Sequence, residues 1–159
     1  MLDSANAWFF DSASHGLDGA LTIRLVEGIK DAESQLVDID GTMLGPYFAV
    51  RVLATSRCVA VTFERALAFF VYDESYDAAD IELKKDAGRF LFSAASSSFR
   101  KFTEARTTLA ELHQQPYQEF MLCCEDRIFH VLSTAAPEVL LLDERPDLNV
   151  ERTGTWSAG

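Results

Sequence analysis

Short stretches in which apolar and more polar residues alternate recur along the chain, and turn signals separate them. Residues 21–26 and 59–63 show this alternation, and Asp40-Gly41 and Gly45-Pro46 are turn dipeptides between such stretches. Alternation with a period of two is typical of half-buried strands, because successive side chains point to opposite faces. About eight such strands, without recurring strand–helix–strand alternation, predict a mainly β fold: an antiparallel sandwich or a barrel-like sheet.

The first strand is expected to end at a glycine. Gly28 follows residues 21–26, and the polar residues 30–34 are interpreted as a turn before a second short strand over residues 35–39. Glycine and clusters of small polar residues are the usual interruptions between strands.

A hairpin is predicted in the middle of the chain. The alternating residues 59–63 and the apolar residues 67–72 are separated only by the short connection 64–66. The second of these strands is apolar on both faces, which is typical of strands in the middle of a sheet.

A second hairpin is predicted from residues 119–124 and 127–133, which flank Glu125-Asp126. If these two residues form the loop, the register of the strands follows from it. The predicted opposing pairs are Met121 with His130, Leu122 with Phe129, and Cys123 with Ile128.

A single helix is predicted near residues 96–112. Three consecutive serines at 96–98 supply N-cap candidates, and Pro116 prevents continuation beyond the helix. The apolar residues Phe99, Phe102, Ala105, Leu109 and Leu112 recur at spacings of three and four. They form one stripe, so Phe99 and Phe102 are expected to anchor the helix on the sheet.

The length of 159 residues predicts one domain. Residues 1–142 carry the periodic patterns and are predicted to form that single globular domain. Residues 143–159 are polar and without a period, and they are interpreted as a loosely ordered C-terminal tail.

The net charge of -11 limits the expected partners. A surface this acidic repels phosphate backbones and anionic lipids, so no nucleic-acid or membrane partner is expected. The charge permits a basic protein partner or serves solubility alone, and solubility is the simpler interpretation. Exposed strand edges leave monomer and homodimer as open alternatives. The three cysteines lack zinc or redox spacing and no signal peptide is evident, which predicts a cytoplasmic protein.

Motifs of known chemistry are missing from the sequence. It contains no GxSxG elbow, no phosphate-binding glycine loop, no EF-hand loop and no zinc-ligand spacing. We therefore predict no cofactor, no metal and no identifiable catalytic residue, and an enzymatic function is not favoured.

The best candidates for a binding site follow the strand at residues 67–72. Polar and aromatic residues at a strand end are typical of the binding loops of β scaffolds. His130 is the only histidine predicted to lie within a strand, where a hydrogen-bonded structural role is the simpler interpretation. The predicted ligand-binding residues are Tyr72, Asp73, Glu74, Tyr76 and His130.

Four strand motifs follow one another along the chain: LTIRLVEG at 21–28, VTFE and VYDESY within 61–76, GRF-x-F-S at 88–93, and IFHVLS at 128–133. Their order resembles a family of small bacterial β-rich proteins with no established activity. The resemblance implies no catalytic residue and no cofactor.

Two functions remain open at this level. The first is a non-enzymatic protein-interaction domain, such as an accessory or immunity-like factor, which the acidic charge and the missing catalytic motifs favour. The alternative is a small-ligand or carbohydrate-binding β-sandwich, or a minor hydrolase, with its site near Tyr72 and His130.

Overall fold

The computed structural model describes residues 1–157, and strands dominate it. The strands are β1 (Ala7–His15), β2 (Leu21–Ile39), β3 (Thr42–Arg51), β4 (Cys58–Phe63), β5 (Ala66–Asp73), β6 (Lys84–Lys85), β7 (Leu91–Ser96), β8 (Gln118–Cys123), β9 (Arg127–Ser133), β10 (Glu138–Leu142) and β11 (Thr153–Ser157). The helices are α1 (Ser98–Arg106) and α2 (Leu109–Leu112), and short 3-10 helices span Leu2–Ser4 and Glu74–Tyr76.

The strands form two antiparallel sheets. The first has the order β10-β4-β2-β3-β11, with β1 also paired to β2, and the second has the order β5-β9-β8-β7-β6. The predicted mainly β, antiparallel fold class is confirmed, and the sandwich-like alternative is the one observed.

The largest cluster of buried hydrophobic residues joins the two sheets. The first sheet contributes Trp8, Ile23 and Phe63, and the second contributes Phe120 and Phe129. The rings of Phe63 and Phe120 lie 5.9 Å apart, which is a normal distance for packed aromatic side chains. This core covers only one face of the second sheet, and the other face carries a smaller buried cluster of Phe92, Met121 and Ile128.

The first strand continues through Gly28, which corrects the predicted break and turn at residues 28–34. β2 runs without interruption to its turn at Asp40 and Gly41, where both residues have positive φ angles of 51° and 81°. A Cβ atom on Gly28 would lie 2.5 Å from Val50 Cγ1 and 2.7 Å from Phe9 Cε2. This glycine therefore allows close side-chain packing inside a strand, and it does not mark a turn.

The predicted hairpin of residues 59–63 and 67–72 is wrong. β4 pairs with β2 and β10 in the first sheet, whereas β5 pairs with β9 in the second. The short connection after Phe63 carries the chain from one sheet to the other. β5 is also an edge strand of its sheet, not a central one.

The predicted hairpin of β8 and β9 is confirmed in its register. Met121 is opposite His130, Leu122 is opposite Phe129, and Cys123 is opposite Ile128. Since the core takes Leu122 and Phe129, the period of two directs Met121 and His130 to the outer face of the second sheet.

The predicted helical segment is divided in two at Thr107 and Thr108. β-branched residues lose side-chain freedom in a helix, which accounts for the interruption. The expected serine cap is present, since Ser97 Oγ accepts a hydrogen bond from the Arg100 backbone N–H at 2.9 Å. Across residues 1–157, no helix has the length and apolar character needed to cross a bilayer.

Phe102 does not anchor the helix, contrary to the sequence prediction, because it is 64% exposed. We therefore expect a Phe102→Ala variant to change the free energy of unfolding by no more than about 0.5 kcal/mol, as is usual for surface positions. Urea denaturation of the variant and the parent measures this difference. A loss of several kcal/mol would show that Phe102 is buried in solution.

Residues 143–157 include ordered backbone pairing. β11 pairs antiparallel with β3, and the Arg152 guanidinium donates a hydrogen bond to Asp11 Oδ1 at 2.7 Å. The division into a domain of residues 1–142 and a loosely ordered tail stays a prediction, and residues 158 and 159 of that tail lie outside the described residues.

Candidate functional site

The outer face of the second sheet forms the floor of an open cavity of about 1200 Å³. Helix α1 and the loop that follows β5 form its walls. Aromatic and aliphatic side chains make up much of the lining, including Phe70, Tyr72, Phe99, Met121 and Ile128, and His130 lies among them.

Two aspartates fix the loop that forms one wall. Asp73 Oδ1 accepts hydrogen bonds from the backbone N–H and the hydroxyl of Ser75, and its Oδ2 accepts from Arg127 at 2.7 Å. Asp80 accepts from the backbone N–H of Ser98 at 2.8 Å and from its hydroxyl at 2.7 Å. Desolvation opposes ionisation of Asp80, but these hydrogen bonds prevail and lower its pKa. The acidic loop is thereby tied to β9 and to the start of α1.

A buried polar network lies beneath the cavity floor. His130 Nδ1 is 2.7 Å from Glu119 Oε1, and the Ser97 hydroxyl donates to Glu119 Oε2 at 2.6 Å. Glu119 is 0% exposed and His130 is 5% exposed. Because Ser97 also caps α1, this network connects the helix to β8 and β9. Both carboxylate oxygens of Glu119 have partners, as a buried acid requires.

Three aromatic rings surround the His130 imidazole. Its centroid lies 5.9 Å from Tyr72 in a stacked arrangement, 5.6 Å from Phe99 and 6.5 Å from Phe70. His130 Nε2 is 3.5 Å from the Tyr72 hydroxyl, which is at the limit of a hydrogen bond. The Tyr72 hydroxyl donates to Asp77 Oδ1 at 2.8 Å.

The structure brings together only some of the predicted site residues. Tyr72, Tyr76 and His130 line the cavity, whereas Asp73 and Glu74 do not. Asp73 caps the 3-10 helix that follows β5, and the Glu74 backbone N–H donates to the Asp126 carbonyl at 3.3 Å. Both act within the loop, and their part in ligand binding stays a prediction.

Sequence reasoning missed Glu119, Ser97 and Phe99 as parts of the site. The signal for Glu119 was available in the hairpin register, since Glu119 is opposite Leu132 and Met121 is opposite His130. Glu119 is therefore a diagonal neighbour of His130 on the same face. The contributions of Ser97 and Phe99 depend on where α1 docks, which no local pattern specifies.

Two side chains with nucleophilic atoms, Cys123 and Ser98, lie at the cavity. Cys123 lines the cavity, but burial raises the pKa of its thiol and so disfavours the reactive thiolate. The Ser98 hydroxyl donates to Asp80 and not to His130. Within residues 1–157, no group of three or more His, Cys, Asp or Glu side chains is arranged to hold a metal ion.

Comparisons with known proteins add no identity. No protein-family model matches the chain, and neither a curated protein nor a solved structure does. The resemblance to a bacterial β-rich family stays a prediction.

Tyr72 is expected to make the protein sensitive to alkaline pH. Burial and the hydrogen bond to Asp77 raise the pKa of Tyr72 in the folded protein, while an unfolded tyrosine ionises near pH 10. The stabilising contribution is complete below about pH 10 and is lost as pH rises toward the folded pKa. Urea denaturation from pH 9 to 12 should show a smaller loss of stability in Tyr72→Phe than in the parent. Equal losses would mean that Tyr72 ionises in the folded protein as easily as in the unfolded chain.

Proposed function

We propose that this protein binds a small, largely apolar molecule in the cavity on the outer face of the second sheet. The observation that carries the proposal is an apolar cavity of about 1200 Å³ with one buried imidazole, His130, in its floor. Small-molecule sites are concave, of roughly 300–1,000 Å³, mostly apolar, and contain a few convergent polar groups.

The rim of the cavity supports the same function. Tyr76 is 79% exposed, Ile81 is 94% exposed, and Phe102 also lies at the opening with most of its ring in water. Exposed apolar groups that cluster around a concavity are typical of ligand-binding sites. A bound ligand would cover these side chains and remove their apolar surface from water.

Blocking the cavity tests the proposal. Ala68 lines it from β5, so an Ala68→Trp side chain would occupy the space that the ligand needs, whereas Ala13→Trp adds the same side chain at an exposed position of β1. The probe is 1-methoxynaphthalene, which is aromatic and has no hydrogen-bond donor, and calorimetric titration measures its affinity. We expect binding to the parent and to Ala13→Trp, and at least a tenfold weaker affinity for Ala68→Trp. No binding to the parent at millimolar concentration, or equal binding to all three proteins, would overturn the proposal.

A protein-interaction domain is the second candidate. The far end of the β2–β3 hairpin exposes Leu36, Ile39 and Met43, each more than half accessible to water. Exposed apolar side chains on a projecting hairpin favour contact with another chain, and the net charge of -11 favours a basic one. Removing these side chains in a Leu36→Ser, Ile39→Thr, Met43→Gln variant should abolish any self-association seen by sedimentation or any capture of a basic partner at low salt. Self-association or capture that persists in this variant would exclude the hairpin as the contact surface.

A further inference from the structure

The hydrogen bonds around His130 indicate which chemical group of a ligand would contact the imidazole. This inference depends on the proposed binding function. Glu119 Oε2 accepts the Ser97 hydroxyl proton, and the Ser97 oxygen itself accepts from the Arg100 backbone N–H. The remaining Glu119 oxygen, Oε1, lies 2.7 Å from His130 Nδ1. Because a carboxylate accepts hydrogen bonds and does not donate them, Nδ1 is the protonated nitrogen of the imidazole.

The role of the other ring nitrogen depends on the charge of the imidazole, because Nε2 is a donor in the imidazolium and an acceptor in the neutral ring. In a neutral imidazole with a proton on Nδ1, Nε2 carries a lone pair. Its nearest polar neighbour is the Tyr72 hydroxyl, whose single proton is donated to Asp77 at 2.8 Å. Within the described residues, the Tyr72 hydroxyl is the only polar group in contact with Nε2, and at 3.5 Å, with its proton on Asp77, it does not act as a donor to a lone pair there. Nε2 belongs to a buried side chain that lines the cavity, where an acceptor without a close donor is unfavourable.

The side chains around the imidazole favour an aromatic and uncharged ligand as the source of a hydrogen-bond donor for Nε2. The rings of Phe70, Tyr72 and Phe99 lie within 6.5 Å of the imidazole. Aromatic rings at such distances pack well against a further planar ring. Negative charge is disfavoured at this position because Glu119 is directly behind the imidazole and Asp77 contacts Tyr72.

We propose that His130 is neutral with its proton on Nδ1, and that the ligand is an uncharged aromatic hydroxyl compound, a phenol or naphthol in chemical class, whose O–H donates to His130 Nε2. Its ring lies in the cavity against Phe70, Tyr72 and Phe99. Glu119 is a positioning residue in this arrangement, since it fixes the imidazole tautomer and does not contact the ligand.

Naphthalene derivatives that differ in one substituent test whether the ligand donates a hydrogen bond to His130. We expect 1-naphthol to bind the parent about tenfold more tightly than naphthalene or 1-methoxynaphthalene at pH 7, since one hydrogen bond contributes about that factor. The anion 1-naphthoate should bind more weakly than 1-naphthol. In a His130→Phe variant the preference for 1-naphthol should disappear while naphthalene still binds.

A second measurement does not depend on the folding of a variant. With ¹⁵N-labelled histidine, His130 Nε2 should give an unprotonated signal in the free protein and shift on addition of 1-naphthol but not of 1-methoxynaphthalene. His15 and His113 provide internal controls.

The outcomes separate this inference from the proposed function. Equal affinity for 1-naphthol and 1-methoxynaphthalene would overturn the hydroxyl inference and leave binding in the cavity intact. Tightest binding of 1-naphthoate would overturn it in favour of a protonated His130. If none of the four probes binds, both proposals are wrong.

Discussion

A Trp8→Ala substitution is expected to lower the free energy of unfolding by about 3–5 kcal/mol, the usual cost of truncating a buried aromatic side chain. Trp8 is fully buried between the sheets, and its indole N–H donates to the Leu2 carbonyl at 3.0 Å. Domains of this size have a total stability of roughly 5–15 kcal/mol, so the variant should unfold at a markedly lower urea concentration. Equilibrium urea denaturation followed by circular dichroism measures the effect.

Two further variants test whether the loss of stability in Trp8→Ala comes from the buried ring. Trp8→Phe keeps most of the ring volume and removes the indole N–H, so it should lose less stability than Trp8→Ala. Phe102→Ala truncates an aromatic side chain that is largely exposed and should be close to the parent. If Trp8→Ala were as stable as Phe102→Ala, the two sheets would not share the core described above.

The second large effect is expected at Glu119. A Glu119→Ala substitution leaves the Ser97 hydroxyl and His130 Nδ1 without their acceptor in a buried position. Each unsatisfied buried donor costs about 1–3 kcal/mol, so the loss of stability should be at least about 2 kcal/mol. Thermal and urea denaturation at pH 7 measure it.

Glu64→Ala is the matched control, because Glu64 is an exposed glutamate between β4 and β5. Its stability should be within about 0.5 kcal/mol of the parent, as for other surface positions. Glu119→Gln retains one acceptor oxygen and should be intermediate between the parent and Glu119→Ala. A Glu119→Ala protein as stable as Glu64→Ala would contradict the buried network that positions His130.

The sequence predicted those parts of the fold that local signals determine. The β8–β9 register followed from a two-residue loop between alternating strands, and the structure has the same pairs. The pairing of β4 with β5 was wrong because short connections also join strands of different sheets. β5 appeared central because both of its faces are apolar. In the structure, the apolar side chains of β5 have other roles: Phe70 and Tyr72 line the cavity, and the ring of Phe69 contacts His15 at the edge of the site.

The site was predictable to a similar extent. Tyr72 and His130 were identified because aromatic and polar residues at strand ends and a lone strand histidine are visible in the sequence. The cavity itself was not, since it requires α1 to lie over the outer face of a sheet whose inner face already forms the core. Phe99 and Phe102 were predicted to anchor the helix on the sheet because the cavity between helix and sheet is not visible in the sequence. An apolar stripe on a helix looks the same whether it packs tightly or lines a cavity.

Binding in the cavity is tested most directly by the three methionine methyl groups of the chain. Met121 lines the cavity, Met43 is exposed on the β2–β3 hairpin, and Met1 is at the N-terminus. In ¹³C-methyl-methionine protein titrated with 1-naphthol, we predict a saturable shift of the Met121 signal and unchanged Met43 and Met1 signals. A Met121 signal that does not move, or a saturable shift confined to Met43, would contradict the proposed site.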